Sequence, residues 1–169
     1  MIRTFTPRGW AAVLVAVTAV PGLPAAARAL PTLVLINETR SLPRGLYVRR
    51  PGENVQRGAT AASVQPDSAR VYLASLGAPP DMLLLKRVAA VDGDVVCREG
   101  ERVFTPAGEA RVLGQDRRGA VLSAWAGCRR LEADEVFLLG EAAESFDSRY
   151  FGPVNRRELR GVFTAVATW

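Results

Sequence analysis

The chain has 169 residues and a formal net charge of +5, and it contains two cysteines and no histidine. This length fits one domain and suffices to bury a hydrophobic core without a structural metal. Because there is no imidazole, Ser-His-Asp and Cys-His catalytic groups and histidine-ligated zinc sites are excluded. With only two cysteines, we expect no metal and no other cofactor. The paired arginines are scattered along the chain rather than clustered, so we expect no nucleic-acid binding.

The first 30 residues differ in character from the rest. Arg3 and Arg8 precede an apolar run at 10–20, and residues 9–27 carry no charge. The strongly apolar run is short for a membrane span of about 20 residues. Two interpretations stay open: a kinked membrane anchor, or a signal peptide cleaved after the small residues at 27–29. In both cases the basic residues ahead of the run predict that residues 31–169 form an exported domain.

Residues 31–51 are predicted to form a strand, a turn and a second strand. Ser41 lies on the turn, which also contains Pro43, and Gly45 follows. Proline fixes its own φ and biases the preceding Leu42 away from the helical region, while glycine permits a positive φ. Ser41 would therefore be displayed at a bend, as a nucleophile requires. The alternative is an ordinary turn serine that hydrogen-bonds to its own backbone.

Most of the remaining elements are predicted to be short strands. A short helix is expected at 67–77, with Asp67 as its N-cap and Gly77 as its C-terminal stop. The expected strands lie at 82–91, 95–97, 103–105, 111–113, 120–122, 136–139 and 162–167. Many short strands with few helices indicate a mostly β domain.

Lys86 is the only lysine among 22 basic residues, and it lies in the apolar strand at 82–91. On two-residue alternation it shares a face with Leu84, Val88 and Ala90. Burial lowers a lysine pKa from about 10.4 by up to about 3–5 units, whereas arginine stays protonated. Lys86 is therefore a candidate base for Ser41. The alternative is a lysine at a strand edge whose stem covers apolar surface.

Two further groups of polar residues stand out. Ser145, Asp147 and Arg149 have the same parity, so in an extended segment they would share one side, and the two charges could pair. The alternative is a surface turn whose ion pair contributes little. Cys97 and Cys128 form an even count in an exported domain, which favours a disulfide over two buried thiols.

Three segments, in this order, resemble the motif boxes of type I signal peptidases. They are Ser41-Leu42-Pro43-Arg44-Gly45-Leu46-Tyr47, Leu85-Lys86-Arg87-Val88-Ala89-Ala90-Val91-Asp92-Gly93-Asp94 and Ser145-Phe146-Asp147-Ser148-Arg149-Tyr150-Phe151-Gly152-Pro153. The S-x-P-x-G-x-Y form of the first box resembles the conjugative-transfer branch, the TraF-like peptidases. The resemblance spans about residues 31–166. Three ordered boxes are far more specific than any single one.

The resemblance implies a signal-peptidase-like β domain of short, largely antiparallel strands, with one or two short helices. It also favours a retained N-terminal membrane segment at 1–30, ahead of a peptidase domain at 31–169. Ser41 would be the nucleophile and Lys86 its base, and the Ser41 amide with Thr39 would hold the oxyanion. Ser145 would orient the Lys86 amine, while Asp147 and Arg149 would pair and hold the last box in place.

By the same resemblance, the protein would be a membrane-bound serine endopeptidase with its catalytic domain in the periplasm of a Gram-negative bacterium. Its substrate would be an exported precursor, foremost a conjugative pilin, released with or without cyclisation for plasmid transfer. Its partners would be that precursor, the cytoplasmic membrane and components of the conjugation or type IV secretion apparatus.

The alternatives are a housekeeping signal peptidase of broad substrate range and a non-catalytic, anchored assembly factor of a secretion channel. One departure from the leader peptidases concerns the loop before the last box. Gly140-Glu141-Ala142-Ala143-Glu144 stands where they often carry G-D-N-R. The substrate contacts of that loop therefore do not carry over to this chain.

Overall fold

Seven strands form one antiparallel sheet in the computed structural model, which describes residues 32–169. The unit that contains the sheet extends from Leu33 to Trp169. The sheet order is β1 (Val34–Asn37), β2 (Gly45–Arg49), β11 (Leu159–Thr168), β3 (Thr60–Ser63), β4 (Leu84–Val91), β9 (Glu135–Leu139) and β10 (Val154–Asn155). The predictions for residues 1–30, an anchor or a cleaved signal segment, lie outside the described residues.

A second antiparallel sheet has four strands. Its order is β7 (Gly108–Arg111), β6 (Arg102–Thr105), β5 (Val95–Glu99) and β8 (Cys128–Arg130). The helices of the described part are α1 (Asp67–Ser75), α2 (Ser148–Phe151) and a 3-10 turn (Arg156–Glu158). The predicted mostly β, antiparallel fold is therefore confirmed. None of the helices within residues 32–169 has the length and apolar character needed to span a bilayer.

Strand β4 lies inside the large sheet, between β3 and β9, and most of its side chains are buried. A bulge between Val88 and Ala90 shifts its register, so that Val88 pairs with Leu138 and Ala90 with Phe137. Because one extra residue sits in the ladder, the alternation of side chains changes face there. Lys86 therefore shares its face with Val88 but not with Ala90, which corrects the expectation drawn from simple alternation.

Gly45 begins β2 and is needed for a reason other than the expected one. It has no positive φ. A β-carbon at this position would instead lie 2.1 Å from the carbonyl oxygen of Ala167 on the neighbouring β11. The glycine of the first box thus permits close approach of two strands, and this packing holds the end of the Ser41 turn against the sheet.

The predicted helix at 67–77 is present as α1, but its N-cap residue was predicted wrongly. The N-cap of α1 is Pro66, in an extended conformation, and Asp67 is the first helical residue, where it pairs with Arg70. Gly77 has a φ of 79° and its N–H donates to the carbonyl of Ala74, so it does end the helix region.

Two expected strands between β6 and β8 were misplaced. β7 covers Gly108–Arg111, so only the first residue of the predicted strand at 111–113 belongs to it. The segment 120–122 is not a strand, and its one sheet-like contact is an isolated bridge between Gln115 and Val121. Its backbone bonds stay local, because the Ala120 carbonyl accepts from Asp116 N. This local hairpin-like turn leaves no backbone edge for a longer ladder.

Cys97 and Cys128 are directly opposed on β5 and β8 and form a disulfide in the small sheet. The two residues are separated by 31 positions in sequence. Closing a loop of this size contributes about 3–4 kcal/mol on the chain-entropy account. The disulfide therefore ties the strand that follows the 112–127 segment to the rest of its sheet.

Candidate active site

A cleft of about 920 Å³ brings together side chains from three distant parts of the chain. Ser41 comes from the turn between β1 and β2, Lys86 from β4, and Ser145 from the loop between β9 and α2. Thr39 lines the same cleft. All four are residues that the sequence analysis singled out, and the fold places them around one space.

The Ser41 turn is held by the side chain of Asn37, which is buried at the end of β1. Its amide nitrogen donates to the carbonyls of Thr39, Leu42 and Pro43, at 3.0–3.1 Å. Its amide oxygen accepts from the backbone N–H of Thr39 at 3.3 Å and from the Thr39 hydroxyl at 2.9 Å. One side chain thus binds three carbonyls and one N–H of the turn on both sides of Ser41, which keeps that residue in a defined position.

The direction of the hydroxyl hydrogen bonds follows from this arrangement. Thr39 Oγ1 lies 2.8 Å from Ser41 Oγ. The Thr39 hydroxyl has one proton and donates it to the Asn37 amide oxygen, which can only accept. Ser41 must therefore be the donor in its bond with Thr39. In the resting site, the proton of Ser41 points towards Thr39.

Lys86 is 5% exposed, on a strand that lies between β3 and β9 in the large sheet. Burial lowers its pKa from 10.5 to about 8, the nearby Asp147 carboxylate opposes that shift, and the Arg149 guanidinium adds to it. A substantial neutral fraction of this amine is therefore present near neutral to mildly alkaline pH. Lys86 is hydrogen-bonded to neither serine in this structure. The Ser41 hydroxyl is hydrogen-bonded to Thr39, and the Ser145 hydroxyl has no hydrogen-bond partner among residues 32–169.

Gly140 is in close contact with both Ser145 and the Ser41 turn. Arg87 pairs with Leu139 at the end of the ladder between β4 and β9, so Lys86 and Gly140 are the next residues of the two segments beyond it. A β-carbon on Gly140 would lie 2.1 Å from Ser145 Oγ and 3.0 Å from the carbonyl oxygen of Ser41. Ser145 Oγ thus occupies the space of the side chain that Gly140 lacks, in the same cleft as Lys86.

The Ser145 hydroxyl is buried yet lacks a hydrogen-bond partner, and it is the one such side-chain atom within residues 32–169. An unpaired buried hydroxyl is costly, so its presence at this position calls for a reason. Ser145 lines the same cleft as Lys86, whose amine is a hydrogen-bonding group of the kind that this hydroxyl lacks.

Asp147 and Arg149 lie beneath the cleft rather than in its lining. They form a fully buried ion pair at 2.7 Å. The carboxylate also accepts from the backbone N–H of Gly140 and caps α2 through Arg149 N. The pair therefore arises from a helix cap, not from an extended segment as the parity argument assumed.

The Arg149 guanidinium binds the loop before α2 through carbonyl groups. Besides Asp147, it donates to the carbonyls of Ala142, Ala143 and Ser145, and to that of Arg111 at the end of β7. These contacts connect the loop, the end of β9 and the small sheet. Loss of either charge would leave the other buried without its partner.

Two residues in this site were missed as functional candidates by sequence reasoning. Asn37 was not singled out, although an Asn side chain commonly hydrogen-bonds to the backbone two residues on at the start of a turn, as this one does with Thr39. Gly140 was noted only as part of a loop that departs from the leader peptidases. Nothing in its local sequence shows that a serine five residues later lies on its α-carbon. Cys97 and Cys128 take no part in the cleft.

Comparison with known proteins assigns the chain to a family. Residues 9–169 match the family described as "Signal peptidase, peptidase S26". Two curated relatives from Escherichia coli, each named "Plasmid transfer protein TraF", are 32% and 33% identical over 147 and 150 residues. Each of these alignments covers 79% of this chain and 82% of the relative. A crystal structure of a signal peptidase I from Enterococcus faecalis superposes with a TM-score of 0.42 and 21% identity, over 66% of this chain and 98% of that one.

The chain belongs to the signal peptidase family, peptidase S26, a family of serine peptidases. Within that family it falls in the TraF-like branch, as the level and extent of identity to the two relatives show.

Proposed function

We propose that this protein is a serine endopeptidase in which Ser41 is the nucleophile and Lys86 the general base. The observation that carries the proposal is the shared cleft of a turn serine and a buried lysine whose pKa is lowered to about 8 by burial. Among side chains of an otherwise arginine-rich chain, Lys86 alone can be a neutral amine in that pH range.

In the proposed first step, the neutral Lys86 amine takes the proton of the Ser41 hydroxyl as Oγ attacks the substrate carbonyl carbon. For this the Ser41 hydroxyl turns from Thr39 towards Lys86, a tightening that substrate binding commonly brings about. The C–N bond of the tetrahedral intermediate then breaks, and the Lys86 ammonium returns the proton to the leaving amine. The product is an acyl ester on Ser41.

The oxyanion is proposed to be held by the Ser41 N–H, which has no acceptor among the described residues. Thr39 can donate a second hydrogen bond once its proton is released from Asn37. In deacylation, Lys86 activates a water molecule that attacks the ester on Ser41. Alternatively, an amine of the substrate attacks this ester, which gives a cyclic product. Ser145 orients the Lys86 amine, while Asp147 and Arg149 hold the loop that carries Ser145.

The substrate is proposed to bind as an extended peptide. β1 is an edge strand of the large sheet, and the ladder between β4 and β9 begins only at Arg87. Residues 35–37 and 83–86 therefore present backbone to the cleft, which they both line. Adding a strand at such an edge supplies backbone hydrogen bonds, while side-chain pockets provide selectivity.

We further propose that the substrate is an exported precursor, foremost a conjugative pilin, processed at the outer face of the cytoplasmic membrane. The name of the two relatives supports a role in plasmid transfer over that of a housekeeping signal peptidase. The membrane attachment through residues 1–30 and the periplasmic location of the remainder belong to the same proposal, as do contacts with conjugation components.

The test is incubation of the purified full chain with pilin precursors encoded near its gene, followed by mass spectrometry of the product termini. Ser41→Ala and Lys86→Ala should each abolish processing while their far-ultraviolet circular dichroism remains that of the wild type. Processing of unrelated secretory precursors at the same rate would favour a housekeeping role. Processing by Lys86→Ala at near wild-type rate would rule out the dyad, and no processing by the wild type would favour an assembly factor.

A further inference from the structure

The rim of the cleft carries charged side chains that the proposed chemistry does not use. Arg40 directly precedes Ser41, Glu144 directly precedes Ser145, and Arg117 comes from the 113–122 segment. All three line the cleft although they are remote in sequence. A peptide bound at Ser41 would therefore share one cleft with all three side chains.

Glu144 carries the one negative charge within this group. Its carboxylate forms a salt bridge with Arg117, and both side chains are about half exposed or more. The pKa of Glu144 is held below its ordinary value, chiefly by that hydrogen bond, with a smaller contribution from the charge of Arg40. Glu144 therefore stays ionised and lies within electrostatic reach of two guanidinium groups from different segments.

The positive charge of Arg40 is not neutralised by an ion pair within the described part of the chain. It forms no salt bridge with any carboxylate of residues 32–169. The other two acidic side chains of the cleft are Glu38, which pairs with no cation of that part of the chain, and Asp116, which already pairs with Arg118. The group Arg40–Glu144–Arg117 thus has a net charge of +1.

We propose that Arg40 and Arg117 select substrates that carry a carboxylate close to the scissile bond. Planar guanidinium groups suit carboxylates, because they can donate two parallel hydrogen bonds. An extended peptide rises about 3.3 Å per residue, so the long arginine side chains beside Ser41 reach positions within two or three residues of the cleaved bond. The carboxylate is either an Asp or Glu side chain or the free C-terminus of a short leaving peptide. This selectivity rests on the peptidase function proposed above.

Because Glu144 has the opposite charge, its substitution and that of Arg117 should change the substrate preference in opposite directions. A neutral residue in place of Arg117 removes a cation and should weaken the preference. A neutral residue in place of Glu144 frees the Arg117 guanidinium from its ion pair, removes the negative charge near Arg40, and should strengthen the preference. A merely structural ion pair predicts the same direction for both changes, because each breaks the same contact. Arg102 and Glu109 form a matched control pair of similar exposure on β6 and β7, outside the cleft.

The experiment uses ten-residue peptides of alanine, serine and glycine with one Glu placed at each position in turn. Their Gln counterparts are the reference, and each peptide is made as the free acid and as the C-terminal amide. The readouts are kcat/KM for the wild type and Kd for the Ser41→Ala protein, which reports binding without turnover. The Glu/Gln arm detects a side-chain carboxylate, and the acid/amide arm detects a terminal one.

The expected result is a preference of about 2- to 5-fold for the charged peptide in at least one arm, the scale of an exposed charge contact. It should fall when NaCl is raised from 0.05 to 0.5 M, since salt screens such contacts. Arg117→Gln and Arg40→Gln should lower the ratio, Glu144→Gln should raise it, and Arg102→Gln should leave it unchanged.

The outcomes separate the two proposals. If the wild type cleaves no peptide but the Ser41→Ala protein still prefers the charged one, the peptidase proposal fails and the recognition proposal holds. If peptides are cleaved with a ratio near one in both arms, the recognition proposal is overturned while the peptidase function stands. A ratio that Arg117→Gln and Glu144→Gln shift in the same direction also overturns it.

Discussion

The Ser145 hydroxyl rests on the α-carbon of Gly140, at a position only 2.1 Å from where a β-carbon of that residue would be. This contact connects the loop before α2 to the residue that follows β9, and Ser145 lines the same cleft as Lys86. The arrangement makes Gly140 a residue whose size, rather than chemistry, determines the geometry of the site.

Gly140→Ala should therefore lower activity strongly. The added methyl must displace Ser145 or the Ser41 turn, and misplacing a catalytic group by about 1 Å costs about 100-fold in rate. Such overpacking also costs about 1–3 kcal/mol of stability. The measurement is kcat/KM with the melting temperature. Gly114→Ala is the matched control, because its β-carbon would meet no atom within 4 Å; equal losses in the two variants would contradict the steric explanation.

The activity should depend on pH through Lys86. Its pKa is lowered to about 8 by burial, and only the neutral amine can accept the proton of Ser41. We expect kcat/KM to fall about tenfold per pH unit below that value and to level off above it. The profile should be measured on one peptide between pH 5 and 10. A flat profile down to pH 5 would show that no lysine titrates in the rate-determining chemistry.

The buried Lys86 should lower the free energy of unfolding of the protein. In the unfolded chain its pKa is near 10.5, and in the folded protein it is about 8. Between these values the unfolded state binds more protons, so stability rises with pH across this window and the full penalty applies below pH 8. The shift corresponds to about 3 kcal/mol at 1.36 kcal/mol per pKa unit.

Lys86→Met should accordingly raise the free energy of unfolding at pH 7 by about 1–3 kcal/mol while abolishing activity. The gain should shrink as the pH rises from 8 and vanish above 10.5, where the wild-type amine becomes neutral in both states. Urea denaturation at pH 7 and pH 10 measures it, with the exposed Arg102→Met as control. A destabilised Lys86→Met protein at pH 7 would mean that the ammonium is favourably bound in the fold.

Asp147 and Ser145 should separate stability from activity. Asp147→Asn leaves the Arg149 guanidinium buried without its counter-ion, a change that costs about 3–5 kcal/mol. We expect a lower melting temperature together with lower activity. Ser145→Ala removes a hydroxyl that has no partner in the resting site, so it should reduce kcat/KM with little change in stability. Loss of activity in Asp147→Asn at an unchanged melting temperature would instead assign the aspartate a direct chemical role.

The disulfide should support the fold and not the chemistry. Protein taken from the periplasm should show Cys97 and Cys128 bridged when its peptides are analysed by non-reducing mass spectrometry. Replacing both by serine should lower the free energy of unfolding by about 2–4 kcal/mol. Because neither cysteine lines the cleft, kcat/KM well below the melting temperature should stay within about twofold. Two free thiols in the periplasmic protein would refute the first expectation.

Residue identities narrowed the candidate chemistry, and the resemblance of three ordered segments to type I signal peptidases then assigned the roles of Ser41 and Lys86. A chain without histidine and with a single lysine leaves one side chain that burial can turn into a base near neutral pH. Ser41 next to Pro43, Lys86 in an apolar strand and the Ser145–Arg149 segment then formed an ordered pattern. The antiparallel, mostly β architecture also follows from local patterning, because short apolar runs between glycines favour strands over helices.

Tertiary structure decided how these residues are held. Neither the bulge beside Val88 nor the contact between Gly45 and β11 has a local signal, because both depend on which strands pair and in which register. The hydrogen bonds from Asn37 to the Ser41 turn and the contact between Gly140 and Ser145 likewise depend on how the chain segments are brought together in the fold. A sequence specifies which groups are available, whereas the close approach of distant backbone segments is settled only when the sheet is assembled and its core is packed.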